Sequence, residues 1–225
     1  GACPWRVDET ARVADGNRPD LPRHWRISVS DPETLGVYAA KALEYAEVTR
    51  NLARDPQLRA FIDAVKPGGA VLDLGCGPGI AAEQMALAGL TVTATDPVPE
   101  MVELAAQKTG VTARVASFDD LTGTGLYDGI WANFSLLHAP RSEMPRHLSN
   151  IAKALRPNGV FHIAVKTGTG SGRDALGRLY TYFTQDELTG LIADAGLIVK
   201  DHAKGCDKGL DGTDADWLCL RAWRN

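Results

Sequence analysis

The amino-acid sequence predicts an α/β protein built on a doubly wound, mostly parallel sheet. Three observations carry that prediction. From Ala70 onward, short apolar runs alternate with helical stretches, the pattern of strand–helix–strand units. A glycine-rich turn, Gly75-Cys76-Gly77-Pro78-Gly79, joins the first of these runs to a helix. A last apolar run, Trp217–Trp223, follows the preceding strand with no helix between them, so it should pair antiparallel.

Residues 1–30 are rich in Asp, Arg and Pro and show no periodicity; they are expected to form an extended arm or lid. Asp31-Pro32 is a helix start, an N-cap followed by proline at the first helical position. Leu35, Ala39, Ala42 and Ala46 then keep one apolar face, with Tyr38 and Tyr45 beside it. Asp55-Pro56 repeats the start signal, and Leu58, Phe61, Ile62 and Val65 form a second such face ending at Pro67-Gly68-Gly69. Strands are expected at Ala70–Leu74, Thr91–Thr95, Thr112–Ala116, Gly129–Phe134, Val160–Lys166 and Leu197–Asp201. Helices are expected at Ile80–Ala88, Pro99–Lys108, Glu143–Leu155 and Gln185–Ala195. The last of these opens with the capping pair Thr184 and Glu187 and closes at Gly196. No internal repeat or low-complexity linker interrupts the chain. One domain is therefore expected, with a helical cap over 31–66 and an α/β core over 67–225.

The 225 residues are 44% hydrophobic and 23% charged, with a formal net charge of -4. That acidic balance argues against a protein whose main work is gripping phosphate backbones. Cys3, Cys76, Cys206 and Cys219 show neither a C-x-x-C pair nor regular spacing. Reduced thiols in a cytoplasmic protein are expected, with no disulfide framework and no metal site. No apolar run approaches the roughly 20 residues of a membrane span, and no signal-peptide core follows Gly1–Arg6. Oligomeric state is not legible.

In Val71-Leu72-Asp73-Leu74-Gly75-Cys76-Gly77-Pro78-Gly79 a strand runs directly into a glycine turn and a helix. Glycines there permit positive φ and close approach of the backbone to a ligand. The next strand ends in Thr95-Asp96, about 20 residues on, where an acid can accept ribose hydroxyls. A dinucleotide enzyme shares that logic, but its fingerprint is G-x-G-x-x-G. Here the spacing is Gly75-x-Gly77-x-Gly79, with an acid two residues before the first glycine.

This stretch resembles the (D/E)-x-G-x-G-x-G motif of class I S-adenosylmethionine (SAM)-dependent methyltransferases, and the likeness extends from about Thr34 to Trp223. Asp96-Pro97-Val98-Pro99-Glu100-Met101 resembles the family's acidic ribose segment. Tyr127-Asp128-Gly129-Ile130-Trp131-Ala132-Asn133 through His138 resembles its fourth strand and the loop beside the methyl donor. Leu155-Arg156-Pro157-Asn158-Gly159 resembles its L-(K/R)-P-G-G turn, with Asn158 replacing a glycine. Phe183-Thr184-Gln185-Asp186-Glu187-Leu188 through Ala195-Gly196-Leu197 resembles its late helix. The resemblance implies a Rossmann-like sheet of order 3-2-1-4-5-7-6 with the last strand antiparallel. It also implies SAM as cofactor and S-adenosylhomocysteine (SAH) as product. Asp73 and Gly75 would hold the methionine end, Cys76, Gly77 and Gly79 the backbone approach, Asp96 the ribose, and Pro97 and Met101 the adenine. Asn133 would line the donor site. Many relatives carry an acid where this chain has Ser117. Adenine recognition therefore stays open between Ser117, the Phe118 backbone and Asp119, and Asp119 and Asp120 equally suit a solvated helix cap.

Methyl transfer from a sulfonium needs a base only if the acceptor must lose a proton, so the lack of a triad or metal cluster does not exclude activity. His138, just after the fourth strand, suits a base or a structural loop cap. The segment Lys166–Phe183 is expected as a nearly structureless loop overhanging the cleft. Arg173 and Arg178 would grip an anionic acceptor, while Tyr180 and Tyr182 line its pocket. The alternative is a mobile surface loop whose arginines pair near Asp186. Together with Tyr38, these residues suggest a lidded pocket for a small-molecule acceptor. The rivals are a tRNA or protein methyltransferase, a SAM-binding protein without transfer activity, and an NAD oxidoreductase.

Overall fold

The computed structural model describes residues 31–225; the expected arm over 1–30, with Trp5, His24 and Trp25, lies outside them. Asp31 caps α1 (Pro32–Ala40), its carboxylate accepting from the Thr34 N–H at 3.0 Å. Asp55 caps α3 (Pro56–Ala64) in the same way, through the Gln57 N–H at 2.7 Å. Between them the chain turns at Lys41 into α2 (Ala42–Val48), so the apolar face from Leu35 to Ala46 is split over two short helices.

The strands among the described residues are β1 (Ala70–Leu74), β2 (Thr91–Asp96), β3 (Val111–Val115), β4 (Tyr127–Asn133), β5 (Leu155–Lys166), β6 (Ser171–Arg173), β7 (Leu179–Thr181), β8 (Leu197–Lys208) and β9 (Asp214–Arg224). Seven of them form one sheet in the order β3-β2-β1-β4-β5-β9-β8, while β6 and β7 pair only with each other. Numbered along the chain, the sheet strands have the expected order 3-2-1-4-5-7-6. Neighbours are parallel from β3 across to β5, and β9 is antiparallel to both β5 and β8.

Helices α4 (Ile80–Leu87), α5 (Pro99–Ala106), α6 (Met144–Ala154) and α7 (Gln185–Asp194) cover the sheet. Val71 and Leu72 are adjacent on β1 and belong to opposite layers, as the alternation of strand side chains requires. Val71 packs with Phe61, Met85 and Trp131, and Leu72 with Ile130, Leu148 and Phe161. Burial on both faces is why β1 has almost no polar alternation. Ala42 of α2, with Leu35, Tyr38 and Tyr45, packs on Val98 and Met101. This seats α1 and α2 over the carboxyl ends of the strands. No described helix is long and apolar enough to cross a membrane.

Three further segments depart from expectation, the first being β5, which begins at Leu155 instead of Val160 and takes in the expected Leu155–Gly159 turn. β8 runs to Lys208 and β9 begins at Asp214, well past the expected limits of Asp201 and Trp217. Most of residues 200–208 are exposed on the sheet's edge, so no apolar pattern marks them. Backbone pairing carries the hairpin to its tip, with the Trp217–Asp207 hydrogen bond and the Lys208–Asp214 ion pair across it. The stretch after β5 is not structureless either, since β6 and β7 make a hairpin within it. Arg141 ties this hairpin down, bonding Glu187, the Tyr182 carbonyl and, at 3.2 Å, the Gly170 carbonyl.

Candidate functional site

The strand order reverses between β1 and β4, and a cleft of about 560 Å³ opens beyond the carboxyl ends of these strands, where open α/β sheets take their ligands. Its floor is the turn after β1. Gly75 (φ 79°) donates its N–H to the Thr95 carbonyl at 2.8 Å, and the Cys76 N–H reaches the same oxygen at 2.9 Å. A side chain at Gly75 would collide with Ser135, whose hydroxyl donates to the Leu74 carbonyl at 2.6 Å. The turn is thereby sewn to β2 on one side and to the loop after β4 on the other.

Two carboxylates stand over this floor. Asp96 accepts from the Gly77 N–H through Oδ2 and from the Val98 N–H through Oδ1, both at 2.9 Å. Each oxygen keeps a second lone pair for a ligand. Burial pushes its carboxyl up to about 6 against those two bonds. Asp73 is 2% exposed, and its Oδ2 has no hydrogen-bond partner. Burial first, and the Asp96 charge second, push its carboxyl up to about 8. An orphaned buried carboxylate oxygen beside a glycine cradle suits a cationic ligand. Beyond Asp96, Pro97, Met101 and Phe118 present an apolar wall.

At the opposite end, Tyr38 from α1 meets the loop after β4. His138 Nδ1 lies 2.7 Å from the Leu179 carbonyl, which can only accept, so Nδ1 carries the proton. Burial, outweighing that bond, lowers the imidazole to about 4 and leaves it neutral. Its Nε2 therefore accepts the Tyr38 hydroxyl proton at 2.9 Å. Arg178 Nη1 donates to the Tyr38 oxygen at 3.1 Å, while its Nε and Nη2 bind Asp174 Oδ2 at 2.9 and 2.6 Å. Tyr180, Lys166 and Trp217 complete the wall. Trp217 donates its indole N–H to Asp207 at 2.7 Å, and its ring lies against Gly205, where a side chain would collide with it. Asn133 lines the cleft between the two ends, its Oδ1 taken by His162 Nε2 at 3.2 Å. His162 in turn stacks on Trp131 at 3.7 Å.

The chain's likeness to known proteins points the same way. Residues 71–159 match the family described as "Methyltransferase domain". Over 173 residues the chain is 31% identical to a ubiquinone biosynthesis O-methyltransferase of Xanthomonas axonopodis pv. citri, spanning 66% of this chain and 72% of that protein. The chain belongs to the class I SAM-dependent methyltransferases. A protein of the same description from Methylobacterium nodulans is 29% identical over 175 residues, 68% of each chain. The fold of a Burkholderia thailandensis 1,6-didemethyltoxoflavin-N1-methyltransferase, solved with 1,6-didemethyltoxoflavin and SAH, superposes with a TM-score of 0.68 at 24% identity, covering 98% of both chains. The protein is thus an enzyme that uses SAM as its methyl donor.

The methyltransferase cleft brings together most of the residues singled out from sequence: Asp73, Gly75, Cys76, Gly77, Asp96, Pro97, Met101, Phe118, Asn133, Tyr38, His138, Arg178 and Tyr180 all line it. Five others are elsewhere. Gly79 (φ 78°) serves helix packing, since a Cβ there would lie 2.8 Å from the Ala105 Cα. Ser117 closes a capping box with Asp120, whereas Asp119 is no cap and pairs with Arg146. Of the three adenine candidates only Phe118 reaches the cleft. Arg173 is held outside by both oxygens of Asp31 at 2.8 Å and by Glu33 at 3.1 Å. Tyr182 packs against the core. Arg178 reaches the cleft with its charge already neutralised by Asp174. The sequence reading missed Lys166 and Trp217, although a polar residue ending a parallel strand is the signal for a cleft position.

Proposed function

We propose that this methyltransferase moves the methyl group of SAM onto a small, planar acceptor by in-line displacement, with positioning as the main source of rate. The observation that carries this reading is enclosure. A cleft of about 560 Å³ must take donor and acceptor together, a volume in the range of small-ligand sites. Its acceptor end is walled by Tyr38, Tyr180 and Trp217. The net charge of -4 and the relatives' description as ubiquinone biosynthesis O-methyltransferases also favour a small acceptor over tRNA or protein.

When bound, SAM supplies a methyl activated by its sulfonium. Asp73, ionised, holds the methionine ammonium through its otherwise unpartnered oxygen, and the turn at Gly75 and Gly77 lets the backbone approach. Asp96 accepts the ribose hydroxyls, while Pro97, Met101 and Phe118 bracket the adenine. On the acceptor side Tyr38, Tyr180 and Trp217 offer aromatic surface to a flat ring. His138 acts by fixing the Tyr38 hydroxyl, because its Nε2 would have to release Tyr38 before taking a proton from an acceptor.

Calorimetry with SAH tests the donor half. The wild type should bind, and Asp96→Ala should weaken binding by about 10–100-fold, the worth of hydrogen bonds to a charged group. Unchanged affinity in that variant would remove Asp96 from the site. Labelled SAM offered with small phenols and heterocycles, against tRNA and protein, tests the acceptor half. Label entering only the macromolecules would overturn the proposal.

A further inference from the structure

We propose that Lys166 is a catalytic residue that receives the acceptor as an anion, which makes the acceptor a small planar acid such as a phenol, an enol or an acidic ring N–H. This rests on the cleft assignment above and extends it to the acceptor's charge.

Of the charged side chains lining the cleft, Asp73 and Asp96 stand at the glycine-turn end and Lys166 and Arg178 at the other, where Asp207 accepts from the Trp217 N–H through Oδ2; Asp55 and Lys208 also line it. Arg178 is spoken for, since Asp174 takes its Nε and Nη2. Lys166 is different. It ends β5, is half-buried in the cleft wall, and forms no ion pair with any described residue. Its Nζ lies 4.0 Å from the centre of the Tyr180 ring, a face that attracts a cation without neutralising it. The charged and titratable groups around it are Arg178 and Tyr180 from the β7 segment, Asp174 in the hairpin turn, Asp211 in the β8–β9 turn and His138 after β4. Asp174 is committed to Arg178, and Asp211 accepts from the Thr213 N–H and hydroxyl. His138 is neutral and its Nε2 is occupied. A half-buried ammonium whose nearest carboxylates, Asp211 and Asp174, lie beyond ion-pair distance is costly unless something anionic meets it directly. Among the described residues on this side the histidine is occupied, and Asp207 accepts from the Trp217 N–H through Oδ2. An acceptor ionised by Lys166 removes the need for a general base.

The balance is simple. On binding, the acceptor's acidic proton passes to water and the resulting anion sits against the Lys166 ammonium. In the transfer, the anion's electron pair forms the new bond to the methyl carbon. The S–C bond breaks and its pair stays on sulfur. A sulfonium and an anion become two neutral groups, and Lys166 keeps its proton throughout.

The test uses 4-nitrophenol, whose phenolate is coloured, titrated with pH in the presence of SAH-saturated protein. The wild type should lower its apparent pKa by about 1–3 units, the effect of an opposite charge within hydrogen-bonding reach. Lys166→Met should abolish that shift, Lys166→Arg should retain most of it, and SAH affinity by calorimetry should be the same in all three. For a cognate acid, Lys166→Met should lower kcat by roughly 10²–10³-fold, as loss of one charge-stabilising contact does. It should also move the kcat/KM profile toward the free acceptor's pKa. No shift in the wild type, or an equal shift in Lys166→Met, would overturn the proposal. So would weaker SAH binding by Lys166→Met, since the lysine would then serve the nucleoside's own carboxylate. If SAH fails to bind the wild type, the cleft assignment itself falls, and that outcome is read before any nitrophenol is added.

Discussion

Asp73 shows how a single buried group links sequence, stability and ligand. It sits two residues before Gly75, where β1 is closed in on both faces, and one of its oxygens has nothing to bond. Its carboxyl lies at about 8 in the folded chain, against an ordinary value of 3.8. The folded state therefore binds a proton that the unfolded state has released. Its stabilising effect is full below about pH 4 and is lost as pH rises through about 8. His138, lowered from 6.5 to about 4, works in the opposite sense, but only below 6.5. The interval from 6.5 to 8 thus belongs to Asp73. Ligand-free wild type should lose thermal stability across it, and Asp73→Asn should flatten that slope; parallel melting profiles for the two proteins would refute the assignment. SAH affinity should rise with pH over the same interval, because the ammonium needs the ionised carboxylate. At this scale the sequence was legible where backbone geometry dictates residue type, as at Asp73, Gly75 and Asp96. It was not legible where only side-chain direction matters. Nothing in the letters shows that Asp119 turns to Arg146 rather than to the cleft.

Elements were legible where burial imposes a period. The strands β1, β2 and β4 and helices α4 to α7 bury apolar residues and emerge within a few residues of expectation, as does the half-exposed β3, while β5 starts at Leu155 instead of Val160. The β8–β9 tip and the β6–β7 hairpin were not, because they are held by backbone pairing and polar contacts. In the second hairpin the Asp174–Arg178 pair is 5% and 2% exposed. Asp174→Asn would leave the guanidinium buried without its counter-charge, at a cost of about 3–5 kcal/mol. A chemical denaturation midpoint unchanged in that variant would show the pair contributes nothing. The β8–β9 tip invites a separate experiment. Gly205 leaves room for the Trp217 indole, so Gly205→Val should push the ring off its seat. The expected result is a raised KM for the acceptor with SAH affinity intact, because the indole lies at the end of the cleft proposed for the acceptor. Equal loss of both affinities would place Trp217 with the donor instead.

At the scale of the whole molecule, the cleft is assembled from pieces far apart in the chain. Asp73 comes from β1, Asp96 from β2, Asn133 and His138 from β4 and its loop, Lys166 from β5 and Trp217 from β9, while α1 and α2 cover the opening. Topology accounts for this convergence: parallel strands place all their carboxyl ends on one edge, and the reversal at β1 and β4 parts the connections there. A ligand seated among these pieces bridges elements that otherwise meet mainly through the sheet, so its binding energy should appear as global stability. At about 100 times its dissociation constant SAH should add about 2.7 kcal/mol. For a chain of this size that corresponds to a rise in Tm of roughly 5–11 °C. Asp96→Ala at the same SAH concentration, binding about 10–100-fold more weakly, should keep only about 0.4–1.4 kcal/mol of it. The roof adds a sharper reading, because Leu35, Tyr38 and Tyr45 pack on Val98 and Met101, close after Asp96 in the chain. SAH should therefore slow amide hydrogen exchange in α1 and α2 as well as in the glycine turn. Protection confined to the turn would mean that the roof answers to the acceptor alone, and that donor binding leaves the acceptor end open.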